Sequence, residues 1–203
     1  MRLVAVSLAI VPTVLLSPMA WSQPGTGGKG DYYPLVVGTR WDYRIVFDGE
    51  VKGSISEVVA EQETINNVRL LRLEAHVKGT VVATEHLRAT PQGVYRHRVQ
   101  GAESKSPVLV LRYPVKAGDS WKIATQVGQQ RIEGKVTTRL DEVEVPAGKF
   151  KAIVTEGDFE VDGKPLKVTT WFAEGVGVVK EITELIPGIA TTIELEKFRL
   201  GKP

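Results

Sequence analysis

YPLVVGTRW, Tyr33 to Trp41, and YPVKAGDSW, Tyr113 to Trp121, carry tyrosine, proline, glycine and tryptophan at the same spacing. Pro34 and Pro114 hold φ at about −65° and cannot donate to a ladder, so each belongs ahead of a strand and not inside one. Gly38 and Gly118 supply a turn position. Trp41 and Trp121 then open apolar-patterned runs that read as strands. Four identities in nine positions, two of them rare residue types, point to a duplicated unit more than to shared turn chemistry.

Outward from these stretches, short runs of alternating or β-branched apolar residues recur with the rhythm of an all-β domain. The pattern predicts strands at 41–48, 52–62, 68–77, 80–89, 93–100, 108–112, 120–127, 130–145, 149–161, 166–173, 177–185 and 189–199. Asp48-Gly49, Lys78-Gly79 and Asp162-Gly163 read as hairpin turns in which glycine takes positive φ. Thr90-Pro91-Gln92-Gly93 suits a type I turn. No window of helical length combines a 3.6 period with caps. The repeat continues more faintly, with Gly53 matched to Gly134, NNVRLLRLEA to AGKFKAIVTE and TPQGVYRHRV to EGVGVVKEIT. The expected fold is all-β: an antiparallel, strongly curved sheet or barrel-like fold made of two tandem β-meander repeats, about 33–105 and 113–200.

Residues 1–22 read as a signal peptide. Arg2 is the only charge, LVAVSLAIVPTVLL is the apolar centre, and Ala20-Trp21-Ser22 has the small–x–small form of a cleavage site. A membrane anchor is disfavoured by the shortness of the run, by Pro12 and Pro18, and by the glycine-rich sequence that follows. Residues 23–31, QPGTGGKGD, form a flexible leader, and 32–203 a single β domain of roughly 170 residues, long enough to bury its own core. The chain is near neutral, with a formal net charge of +2. That leaves no electrostatic footprint for nucleic acid or an anionic membrane. There is no cysteine, hence no disulfide, thiolate catalysis, cysteine-bound metal or N-terminal lipid-bearing cysteine.

YPLVVGTRWDY (33–43), VPAGKF (145–150) and WFAEGVGVVK (171–180) resemble the signatures of a family of exported bacterial β-proteins of unknown function. The resemblance spans the mature chain and implies an antiparallel, curved or barrel-like fold in the periplasm or outside the cell. It carries over no catalytic residue.

The candidate site residues are few. With Pro91 and Gln92 at the turn, residue numbers summing to 183 pair across the hairpin, which sets His86 opposite His97. Two facing imidazoles could hold a metal given a third ligand. His76 is too far along its strand to serve, and Arg96 and Arg98 repel a cation. Two solvated histidines on a polar face is the plainer reading. Asp141, Glu142 and Glu144 cluster without calcium-loop spacing and suit a charged edge strand. GTGGKG (25–30) lacks the spacing of a phosphate loop, and no Gly-x-Ser-x-Gly nucleophile elbow occurs. Trp41, Trp121 and Trp171 are core residues or, in the functional alternative, the aromatics of a cavity inside the curved sheet. No cofactor is expected. The leading functional reading is a non-catalytic exported module that binds a partner protein or peptide. The alternative is a carrier or sensor of an apolar small molecule held by the concave face, and an enzyme comes last.

Overall fold

A computed structural model describes residues 30–202. Residues 1–22, expected to be a signal peptide, and nearly all of the expected leader therefore lie outside the described residues. Twelve antiparallel strands close into an up-and-down barrel: β1 (Arg40–Phe47), β2 (Glu50–Ile65), β3 (Val68–Val77), β4 (Thr80–Thr90), β5 (Gly93–Val99), β6 (Ala102–Arg112), β7 (Ser120–Val127), β8 (Gln130–Val145), β9 (Gly148–Val161), β10 (Lys164–Ala173), β11 (Gly177–Ile186) and β12 (Ile189–Arg199). Each strand pairs with its sequence neighbours, and β1 pairs with β12 to complete the ring. Closure removes the edge strands that an open sheet would expose. All twelve expected strands are present. β2 and β6 run five and six residues longer than their patterns, β6 because Ser104 to Pro107 carries no apolar alternation to announce a strand.

The ring is uneven. β6 and β7 share a single ladder pair, Ser104 with Val127. Beyond it the seam is bridged by side chains. Thr125 Oγ1 donates to Ser106 O at 2.8 Å and accepts from Ser106 N–H at 3.0 Å. The Trp121 indole N–H donates to Leu109 O at 3.0 Å, and the Arg112 guanidinium lies 5.1 Å from its ring centroid.

Up-and-down topology sorts the turns onto two ends. The end that holds the β2–β3, β4–β5, β6–β7, β8–β9 and β10–β11 turns is closed by the segment before β1. Gly175 N–H donates to Asp31 O at 2.6 Å, and Tyr33 packs its ring against Trp41 and Phe172, with centroids 5.8 and 5.6 Å away. Trp41 is fully buried, its indole N–H donating to Val176 O at 2.6 Å. Gly177 lies beneath that indole at φ +97°, where a Cβ would sit 3.0 Å from Trp41 Nε1. Glycine is required there both for its conformation and for the close approach.

The two YP-to-W stretches make the same backbone contacts. Gly38 N–H donates to Val59 O and Val59 N–H returns to Thr39 O, at 2.8 and 2.9 Å. Gly118, Thr138 and Asp119 repeat this pair at the same two distances. The interior glycines do not correspond in the same way. Gly53 opposes Ile45, whereas Gly134 opposes Ile123, so counting from the two tryptophans Gly134 falls opposite the counterpart of Tyr43.

Candidate functional site: the barrel lumen

Alternation along each strand sends every second side chain inward, and these side chains do not fill the barrel. A cavity of about 410 Å³ remains, within the range of roughly 300–1,000 Å³ usual for small-molecule pockets. Its upper wall is apolar, with Ile132, Phe159, Val161, Leu166 and Val168 among the lining side chains. Leu185, Ile186 and Ile189 also line it and are 46–58% exposed, so the cavity reaches the surface at the β11–β12 hairpin. That is the end opposite the Tyr33 plug. Phe47, Val51, Val81 and Val82, at the tips of the β1–β2 and β3–β4 hairpins, are exposed at the same end.

The floor is different. Glu57 of β2, Glu85 of β4, Arg96 of β5 and Glu181 of β11 project into the lumen next to Tyr33 and Thr170. Arg96 Nε donates to Glu85 Oε2 at 2.8 Å. Glu181 accepts from Thr170 Oγ1 at 3.0 Å. Glu57 has no hydrogen-bond partner among the described residues. Burial, with the charges of Glu181 and Glu85 behind it, pushes its carboxyl up to about 8, outweighing the opposing pull of Arg96. Burial also raises Glu181.

The residues singled out from sequence lie elsewhere. Trp41 sits one layer below the floor, under Tyr33 and Phe172. Trp121 lies on the inner face of β7 beside the β6–β7 seam, packed against the cavity-lining Ile123 and Val136, and does not itself line the cavity. Trp171 faces away from the lumen, since its neighbours Thr170 and Phe172 point inward, yet it is buried and joins the hydrophobic core. There it donates to Asp141 Oδ2 at 3.0 Å and lies between Arg139 and Lys180, 5.9 and 5.7 Å from its ring. Asp141 is thereby paired with Arg139 at 2.7 Å, which holds its carboxyl below the usual range.

His86 does not face His97. The hairpin register holds from the turn to Leu87↔Arg96, then a bulge leaves His97 without a partner and sets His86 opposite Arg98. A bulge adds one residue to one strand, and parity counted from the turn fails beyond it. His86 lies 3.1 Å from Glu63 of β2. Burial lowers the His97 pKa, as does the charge of Arg88, with Glu103 opposing. No group of three or more candidate metal ligands occurs among the described residues.

Sequence reasoning missed the floor. One signal was present: Glu57 stands between Ile55 and Val59, and Glu85 between Ala83 and Leu87, each a carboxylate in the apolar phase of its strand. Glu181 carried no such signal, because a bulge between Trp171 and Phe172 in the β10–β11 pairing shifts the phase of β11.

No protein-family model and no curated protein matches the chain. Its fold is similar to that of a candidate lipoprotein from Parabacteroides distasonis, with a TM-score of 0.56 at 13% identity over 85% of this chain and 100% of that one. A candidate exported protein with YmcC-like fold from Bacteroides fragilis gives 0.45 at 13% identity, covering 82% and 97%. The hypothetical lipoprotein YmcC from Escherichia coli gives 0.38 at 12%, covering 81% and 85%. At these identities the likeness concerns the fold.

Proposed function

We propose that this protein is an exported envelope protein that carries or senses an apolar small molecule in its lumen. The observation that carries the reading is the apolar cavity of about 410 Å³, opening at a rim of exposed apolar side chains. Contiguous exposed apolar surface marks interaction sites, and here it is continuous with the cavity wall, as passage of an apolar ligand requires. Of the two leading readings of the sequence, the partner-protein module leaves the cavity without a role, whereas the carrier uses both cavity and rim. Export is supported by the signal-peptide pattern of residues 1–22 and is in keeping with the description of the Parabacteroides protein as a lipoprotein. No catalytic role is assigned to the lumen carboxylates.

The test is native mass spectrometry of the protein purified from its own envelope, followed by titration of the delipidated protein with an environment-sensitive apolar dye. A co-purifying apolar molecule, and dye binding abolished by Val168→Trp, are expected. Dye binding unchanged by the filled lumen would refute the reading.

A further inference from the structure

The lumen has a direction, apolar at the mouth and charged at the floor, and the floor charges are unequal. Three carboxyls, Glu57, Glu85 and Glu181, meet one guanidinium, Arg96, and Arg96 is already engaged by Glu85. Glu57 is enclosed by the barrel wall, faces the cavity and has no hydrogen-bond partner among the described residues. A buried polar group left unpaired is costly, and one aimed into a ligand-sized cavity is a place for a ligand atom. Resting on the carrier reading, we propose that the lumen ligand is an apolar chain ending in a protonated amine, inserted head first, with its ammonium between Glu57 and Glu181.

The physical chemistry separates three head groups. An ammonium supplies donors to the two carboxyls and the positive charge that the floor lacks. A hydroxyl supplies one donor and no charge. A carboxylate adds a further negative group beside Glu85 and Glu181, and the one cationic partner on the floor, Arg96, is already bound to Glu85. Without ligand, Glu57 remains protonated at neutral pH. Insertion of an ammonium lowers the proton affinity of that carboxyl, so binding is coupled to proton release. The charged and titratable groups facing Glu57 are Glu181, Glu85 and Arg96, with the phenols of Tyr33 and Tyr43 beside them.

Dodecylamine, dodecanol and dodecanoate, each below its aggregation concentration, serve as probes of one chain length on the delipidated full mature protein. Isothermal titration calorimetry near neutral pH should show the amine binding at least about tenfold more tightly than the alcohol, with dodecanoate weakest. Repeating the amine titration in two buffers of different ionisation enthalpy should reveal release of about one proton per amine bound. Glu57→Gln and Glu181→Gln should each bring the amine toward the affinity of the alcohol while leaving the alcohol unchanged. Dodecanoate binding as tightly as the amine would overturn the proposal, as would amine binding without proton release. Should a variant fail to fold, the proton count on the wild type still decides. If the alcohol binds and the amine has no advantage, the head-group inference falls and the carrier reading stands. Binding of none of the three would overturn both.

Discussion

Inside the barrel, Arg96 and Glu85 form an ion pair at 2.8 Å, donated from Nε to Oε2 across the β4–β5 hairpin. The hairpin register places them two residues out of step, because Arg96 opposes Leu87 while Glu85 opposes Val99. The pair therefore runs diagonally along the lumen wall and leaves Glu57 and Glu181 to face the cavity without it. Removing one partner of an enclosed pair leaves an uncompensated charge. With these side chains 35% and 24% exposed, Arg96→Met should thus destabilise the protein by about 1–3 kcal/mol, and Glu85→Gln, Arg96→Met together by less than the sum of the single changes, as urea denaturation of the four proteins would show.

Glu57 makes stability depend on pH. Its folded pKa of about 8 lies above the ordinary carboxylate value, so the folded state holds a proton that the unfolded state has lost. Stability from this group is greatest below the unfolded value, near 4.3, and falls as pH rises until it levels off above about 8. Glu181 acts in the same direction. Thermal unfolding between pH 5 and 9 should show a falling midpoint in the wild type and a shallower fall in Glu57→Gln. Equal slopes would contradict the assignment.

Trp41 and Gly177 hold the closed end. Trp41→Phe removes the hydrogen bond to Val176 O and leaves a buried carbonyl unpaired, for an expected loss of about 1–3 kcal/mol. Gly177→Ala forces a Cβ toward the Trp41 indole at φ +97° and should cost a similar amount, about 1–3 kcal/mol. Denaturant midpoints unchanged in both variants would refute this account of the plug.

The β6–β7 seam should open before the rest of the barrel. With one ladder pair and a backbone bond from Gly128 N–H to Glu103 O at its turn end, the rest of the seam depends on Thr125, which bonds Ser106, and on Trp121, which donates to Leu109 O. Hydrogen exchange should be faster in β6 and β7 than in β8 and β9, whose ladder runs from Ile132↔Val161 to Val145↔Gly148. Trp121→Phe deletes the bridge to Leu109 O and should speed exchange at the seam selectively. Uniform acceleration around the ring would show that the seam is not a separate unit.

His97 should titrate below its ordinary value, because burial and Arg88 both disfavour its charged form. Its stabilising effect is then present above the unfolded pKa, near 6.5, and is lost as pH falls through that value, levelling off below the folded one. Arg88→Gln should move the His97 NMR titration part of the way back, with burial supplying the remainder. A titration insensitive to Arg88 would remove the charge from the account.

Strand positions were legible in the sequence because they depend on local patterns: period-two alternation, prolines ahead of strands, and glycine or proline in turns. The YP-to-W stretches announced β1 and β7 for that reason. The ring itself follows from β1 meeting β12, a contact between chain ends that no local pattern encodes. Bulges defeated the finer arithmetic. One extra residue at His97 separates it from His86 in register, and a shift between Trp171 and Phe172 precedes Glu181, reversing which side chains point inward. The lumen floor is the clearest case. Ile55-x-Glu57-x-Val59 shows that a carboxylate lies in the apolar phase of its strand. Only the closed barrel brings Glu57, Glu85, Arg96 and Glu181 from four strands to one enclosed place, because curvature makes neighbours of residues that the chain keeps far apart.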